Sequence, residues 1–397
     1  MRPNTLREKQ SARTVTHVAE FLRGANSVGL PGSIWMWFVS LLIAAVLIIT
    51  MSVAPAGAQD SATQVPSPVE GQVPGNSSGA TSDSELWRAL KSGDRLSTQL
   101  QDERAGVAIQ TNGQDWRVMR NGPLTNYSAW GMLVTFGLLG IFFALRGRIR
   151  IGHGGPSGET ISRFSLFERM GHWLLASSFI ILAITGLNLV FGRDLLMPIM
   201  GKEAFSIMSY YGKYIHNYVA FSFMVSLVWV AITWVAYNIP HPRDITWFLK
   251  GGGILGGAHP AAKKFNAGQK IIFWLVILGG FSLSLSGWSL LFPFTTNHFA
   301  DTFAIINSVF GTDYPTVLTA LQEQQLAQLW HGMMSIFMVC VIIAHIYIGS
   351  VGMEGAIDAM TTGDVDINWA REHHSLWVEE EEARLAKSSP PSTQPAE

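Results

Sequence analysis

Leu329–Val351 reads L-W-H-G-M-M-S-I-F-M-V-C-V-I-I-A-H-I-Y-I-G-S-V. It contains no Lys, Arg, Asp or Glu. As a helix it is long enough to cross the roughly 30 Å apolar core of a bilayer. Yet it carries two histidines, His331 and His345. Ionisable side chains at membrane depth are costly and usually partnered. The two lie fourteen residues apart, about 21 Å along a helix axis. At about 100° per residue the angle falls roughly 40° short of four turns, so both rings point to one side. A single metal ion cannot touch both.

Five other runs are similarly apolar and free of Lys, Arg, Asp and Glu: Ile34–Val53, Ser128–Leu145, Trp173–Phe191, Tyr218–Tyr237 and Ile271–Phe294. Trp130, Trp173, Tyr237 and Tyr347 stand near run ends, as interfacial aromatics do. Composition agrees: 14% of residues are charged and 48% hydrophobic, where a soluble domain carries about 25% charged residues. A net charge of −1 excludes a strongly basic nucleic-acid binder. Cys340 is the one cysteine, so no internal disulfide forms and no Fe–S cluster is held by this chain alone.

Residues 1–58 read as an export leader, either a signal peptide cut after Ala58 or an N-terminal anchor. Arg2, Arg7, Lys9, Arg13 and Arg23 precede its apolar run, and Ala56 and Ala58 form a small-x-small site. Residues 59–127 form an exported segment. Its first part is rich in Ser, Pro, Gly, Gln and Thr, the composition of a flexible linker. A short amphipathic piece (Leu86, Trp87, Leu90) follows. Val107–Gln110, an Asn112-Gly113 turn and Trp116–Met119 then predict a β-hairpin. Contact with a partner is the expected role. The C-terminal residues 353–397, with the run Glu379–Glu382 and a Pro-rich end, predict a solvated, partly disordered tail.

Lys and Arg crowd residues 146–170 (Arg146, Arg148, Arg150, Arg163, Arg169) and 238–270 (Arg243, Lys250, Lys263, Lys264, Lys270), while residues 294–326 have none. The positive-inside rule places the first two loops and the C-terminus in the cytoplasm, and residues 59–127 in the periplasm. Of the eleven histidines, seven lie in loops or tails and are expected at the surface. His172, His216, His331 and His345 lie in or at the edge of apolar runs. His216 and His331 share the outer level; His172 and His345 share the inner one. Two stacked bis-histidine haems satisfy that arrangement, because neutral imidazole is a good haem-iron ligand and helical bundles hold haem between facing helices. Gly171, Gly186, Gly279, Gly280, Gly287 and Gly332 allow close approach of a flat macrocycle or another helix. Arg169, one turn before His172, is placed to reach a haem propionate. The expected fold is therefore an all-α membrane protein. A transmembrane four-helix haem-binding bundle occupies residues 160–352, with one extra helix at 128–145 and a small periplasmic segment ahead of it.

Several stretches then resemble one family. They are F-E-R-M-G-H-W (Phe167–Trp173), G-K-Y-I-H-N-Y (Gly212–Tyr218), N-I-P-H-P-R-D-I (Asn238–Ile245), K-F-N-A-G-Q-K (Lys264–Lys270), L-W-H-G (Leu329–Gly332), A-H-I-Y (Ala344–Tyr347) and N-W-A-R-E-H-H (Asn368–His374). Over about residues 160–378 the chain resembles the gamma, or cytochrome b, subunit of respiratory formate dehydrogenase, in a long form with an N-terminal extension. The resemblance implies His216 and His331 as ligands of a periplasmic-side haem b, and His172 and His345 as ligands of a cytoplasmic-side haem b. It also implies a quinone pocket lined by Asn266, Gly268 and Gln269. Its amides would bond a quinone carbonyl and its glycine would admit the ring.

The resemblance further implies partners: an Fe–S beta subunit and a molybdenum- or tungsten-containing alpha subunit. Electrons would enter on the periplasmic side of the bacterial inner membrane, and ubiquinone or menaquinone would be reduced on the cytoplasmic side. The chain itself carries no formate-oxidising site and no catalytic side chain, and its other contacts are membrane lipid. Two alternatives remain on sequence alone. A hydrogenase or thiosulfate-reductase complex would use the same haem scaffold with another partner. A transporter would use the buried histidines as a proton relay, and would need polar or acidic mid-helix residues beyond the scattered Ser, Thr, Asn and Gln present.

Overall fold

The computed structural model describes residues 113–152, 154–253, 259–293 and 295–388. The leader, the linker and the first strand of the expected hairpin lie outside the described residues. Among the described residues, five helices are long and apolar enough to cross a membrane: α1 (Gly113–Arg146), α2 (Leu166–Leu195), α3 (Lys202–Trp234), α5 (Ala267–Leu291) and α7 (Ala320–Tyr347). Between and after them run α4 (Pro242–Leu249), α6 (His298–Phe310), α8 (Ile367–His373) and α9 (Ser375–Ser388).

Three of the four bundle helices begin at a side chain that caps them, whereas α3 begins after Gly201. Ser165 opens α2 with Glu168, Asn266 opens α5 with Gln269, and Thr319 opens α7 with Gln322. In each pair the cap side chain accepts the N–H three residues on, and the partner side chain accepts the cap's own N–H. Two otherwise unsatisfied donors are thereby paired. The helices overrun the bilayer. At 1.5 Å per residue α3 is about 50 Å long against an apolar core of about 30 Å. His216 therefore sits well inside α3, and His331 well inside α7, where their apolar runs suggested helix starts.

Helix α2 packs along α3, α5 along α7, and α3 closes against α5. Small side chains make these approaches possible. A Cβ on Gly279 would meet Met338 Sδ at 2.6 Å, and one on Gly280 would meet Leu227 at 2.9 Å. Ser178, Ser226 and Ser286 are buried and donate to carbonyls three or four residues back on their own helix, so these hydroxyls keep a partner in the apolar interior; the Ser222 hydroxyl, also buried, has none. Helix α1 leans chiefly on α7 among the bundle helices. Its Leu133, Val134, Phe136, Leu138 and Ile141 face outward, as a lipid-facing surface requires.

Two expectations are corrected. Gly113–Met119 is helical, not the second strand of a hairpin. An isolated two-stranded hairpin is marginal in stability, whereas this stretch extends α1 through local bonds, with Asp115 favourably placed in the first turn. Pro123 lies where α1 widens into a π-turn over Arg120–Leu124. Proline offers no N–H and crowds the carbonyl four residues back, which the wider turn relieves. The second correction concerns residues 353–388, which are ordered. Strand β1 (Thr160–Ser162) pairs antiparallel with β2 (Asp364–Asp366), with Ile161 opposite Val365. Val365, Trp369, Ala370, Trp377 and Val378 join Phe164, Trp234, Phe265 and Phe273 in the hydrophobic core. That core lies at the Arg- and Lys-rich end of the bundle, called the basic end below.

Candidate functional site

The four in-membrane histidines meet in two pairs. His216 on α3 faces His331 on α7, with ring centroids 6.3 Å apart and planes at 70°. His172 on α2 faces His345 on α7, also at 6.3 Å, with planes at 62°. An imidazole nitrogen lies about 2.0 Å from a bound first-row metal and roughly 1.1 Å from its own ring centroid. Two axial imidazoles across one iron therefore have centroids roughly 6.2 Å apart. Both pairs match that span. The pairing by depth and the shared face of α7 agree with the fourteen-residue spacing.

Hydrogen bonds settle how the pair at the far end presents its nitrogens. The Thr185 hydroxyl donates to the Ile181 carbonyl at 2.8 Å, so its oxygen is left to accept from His216 Nδ1, 2.8 Å away. The Ser286 hydroxyl donates to the Ser282 carbonyl at 2.9 Å and accepts from His331 Nδ1 at 3.0 Å. The proton is assigned to Nδ1 in both rings by this network. Each Nε2 lone pair is then free for a metal, with the opposite nitrogen supported. Glycine makes room beside each ring: a Cβ on Gly186 would sit 3.5 Å from His216 Cε1, and one on Gly287 would sit 3.3 Å from His331 Cε1. At the basic end His172 Nδ1 is buried and makes no hydrogen bond. The two pairs thus fit a haem iron in spacing, and they differ in the support behind the ligands.

Arg169 donates through Nη1 to the Thr361 carbonyl at 2.6 Å, tying α2 to the segment before β2. Its Nε is buried without a hydrogen bond. Gly363, at φ +94°, lies against that guanidinium, where a Cβ would come within 3.0 Å of Nε. Asn266 and Gln269 form the cap of α5: Asn266 Oδ1 accepts the Gln269 N–H at 3.0 Å and Gln269 Oε1 accepts the Asn266 N–H at 3.1 Å. Both amide NH₂ groups stay available as donors. Gly268 lies against Trp247, with 3.1 Å from an added Cβ to the indole. An apolar groove of about 540 Å³ runs along another face of α5, past Ala267, Lys270, Ile271, Trp274 and Leu278. Its lining does not include Asn266, Gly268 or Gln269.

Reading histidines by their apolar surroundings missed a polar group at the basic end. His374 is fully buried and His373 is 7% exposed, which corrects the expectation that tail histidines are surface residues. Arg163 is also buried; it donates to the Lys264 carbonyl at 2.7 Å and approaches Gln269 Oε1 at 3.4 Å. Its Nη2 lies 2.9 Å from His374 Nε2. Its guanidinium packs over Phe164 and Trp369. Burial pulls the Arg163 pKa down to about 9. Burial, and then the Arg163 charge, hold His374 well below the usual histidine range. The N-W-A-R-E-H-H stretch (Asn368–His374) lies in a tail whose charge masked its buried face.

Proteins similar in sequence to this chain are cytochrome b556 subunits. The chain is 26% identical over 233 residues to the cytochrome b556(Fdn) subunit of nitrate-inducible formate dehydrogenase from Escherichia coli K12, covering 58% of this chain and 95% of that protein. It is 28% identical over 224 residues to the E. coli K12 formate dehydrogenase cytochrome b556(fdo) subunit, covering 56% of this chain and 93% of the relative. A formate dehydrogenase cytochrome b556 subunit from Haemophilus influenzae Rd is 24% identical over 217 residues, covering 54% and 80%. Residues 163–363, the stretch holding all four paired histidines, match the family model described as prokaryotic cytochrome b561. That match spans just over half of the chain, and the chain belongs to the prokaryotic cytochrome b561 family.

Proposed function

We propose that this chain is the membrane cytochrome b subunit of a formate dehydrogenase complex, carrying electrons from a periplasmic Fe–S subunit to membrane quinone by way of two b haems. The carrying observation is the pair of histidine couples at iron-bridging distance, one at each level of the bundle. His216 and His331 hold the periplasmic-side haem, and His172 and His345 the cytoplasmic-side one. Haem b held there supplies one-electron redox chemistry on iron. The protein's part is to bind and insulate. Thr185 and Ser286 orient the outer ligands, Gly186 and Gly287 leave room beside the rings, and the apolar helices exclude water. The rise from His331 to His345 separates the two levels by about 21 Å.

Quinone reduction belongs at the cytoplasmic end, where the free amide donors of Asn266 and Gln269 stand beside Gly268. Arg169 is proposed for a propionate through its unbonded Nε. The complex sits in the bacterial inner membrane, with residues 59–127 in the periplasm and the C-terminus in the cytoplasm. A molybdenum- or tungsten-containing alpha subunit performs the formate oxidation.

The test is purification of the intact complex through a tag on this chain, followed under anoxic conditions by addition of formate or hydrogen to the oxidised haems, or of thiosulfate to the reduced haems. Formate-oxidising activity should copurify with this chain, and added formate should reduce the b-type α band. Reduction by hydrogen but not formate would assign the scaffold to a different partner, and absence of any b-type band would remove the reading.

A further inference from the structure

Away from the paired histidines, one set of three metal-ligating side chains converges among the described residues: His259, Glu372 and His373. Their donor atoms all lie within 4.8 Å of one another. They come from two segments far apart in sequence. His259 precedes α5, and Glu372 and His373 end α8. His259 Nε2 is 2.8 Å from Glu372 Oε1, and the two imidazoles meet edge to face at 4.7 Å between centroids.

The surroundings aim these donors inward. Glu372 Oε2 accepts the Gly152 N–H at 2.8 Å, which fixes the carboxylate and leaves Oε1 toward the histidines. Glycine at 152 matters, because a Cβ there would stand 3.3 Å from Oε2. His259 Nδ1 is buried without a hydrogen bond. It lies over Gly253, at φ +73°, where a Cβ would come within 2.3 Å. The ring is thus seated with Nε2 toward Glu372.

We propose that His259, Glu372 and His373 form a divalent transition-metal site of the zinc type, two imidazoles and one carboxylate with a fourth position for water, on the cytoplasmic face of the protein. This ligand set and count are those of open zinc sites. Donors around such an ion, each about 2.0 Å from it, stand roughly 3.3 Å apart, so closure asks for about an ångström of side-chain movement. The other groups facing His373 are already engaged: Arg163 with the Lys264 carbonyl, and His374 with Arg163 and the Lys263 carbonyl. They explain a three-ligand set, with the Arg163 charge opposing tighter binding. A bound ion clamps α8 to the segment that opens α5.

The experiment uses the full-length, haem-loaded protein, stripped with chelator and then dialysed against graded Zn²⁺ with metal analysis. Wild type should bind one saturable equivalent, and that equivalent should raise its melting temperature. His259→Ala and Glu372→Gln should each weaken it about tenfold or more, while His241→Ala, a histidine elsewhere on the surface, leaves it unchanged. An unaltered haem spectrum reports that each variant is folded. Should His259→Ala lose that spectrum, Glu372→Gln, which keeps an acceptor for the Gly152 N–H, decides alone. Absence of a saturable equivalent in wild type overturns the site, as does binding that survives the substitutions.

Discussion

Ser286→Ala removes the hydroxyl that accepts from His331 Nδ1 at 3.0 Å, with little change of volume. Thr185→Val does the same for His216, keeping the branched shape while deleting an oxygen 2.8 Å from Nδ1. A hydrogen bond on the distal nitrogen raises the basicity of an axial imidazole and favours the oxidised metal. Losing it should raise the midpoint potential of the outer haem. One such bond is worth about 0.5–1.5 kcal/mol net. At 59 mV per 1.4 kcal/mol for one electron, the expected rise is roughly 20–60 mV per substitution. The double variant should approach the sum, because the two hydroxyls sit on different helices and support different rings. The assay is a redox titration followed at the α band of the haem-loaded protein and fitted to two Nernst components. One component should move and the other should stay, since neither hydroxyl bonds His172 or His345. An unchanged titration, a fall in potential, or equal movement of both components would refute the tautomer assignment and the pairing behind it.

Three further outcomes follow from the same geometry. Gly287→Val should lose the outer haem, because even a lone Cβ stands 3.3 Å from His331 Cε1, whereas Gly137→Ala, with nothing within 4 Å, should keep two haems per chain by pyridine haemochrome. Asn266→Asp keeps the α5 cap but removes the amide donor. Its melting temperature should match wild type, while Asn266→Ala loses about 1 kcal/mol; wild-type quinone reduction by the Asp variant would exclude Asn266 as a quinone donor. Asp366→Ala should loosen the docked C-terminal segment by about 1 kcal/mol, seen as faster amide exchange in β2 and α8. Partial burial alone would raise the Asp366 pKa, but the Gly158 N–H, the Ser157 hydroxyl and the Asn368 and Trp369 N–H groups hold it below the usual carboxylate value. Its contribution is therefore complete above the ordinary carboxylate range and lost as pH falls through the folded value. With the pH dependence of intrinsic exchange divided out, protection of β2 and α8 in wild type should fall only on acidification.

The spans and the histidine pairs were legible because both depend on local physics. An apolar run must cross the bilayer, and a fourteen-residue step fixes where two rings point. The capping boxes at Ser165, Asn266 and Thr319 were equally local, and N-A-G-Q serves as one while keeping its donors. The docked tail was not legible. Trp369, Trp377 and Val378 are spaced among charges, and only their meeting with Phe164, Trp234 and Phe265 from distant segments makes them core. Met119 and Trp116 were read with a turn signal, Asn112-Gly113, whose hairpin could not compete with continuation of α1. His259 and Glu372 stand more than a hundred residues apart, so no spacing within either segment announces their contact.

The most direct measurement is haem stoichiometry on the isolated chain and its histidine variants. Wild type should hold two haem b per chain, and His216→Ala or His172→Ala should each hold one. One haem in wild type, or two retained after either substitution, would contradict the two-level arrangement on which the account stands.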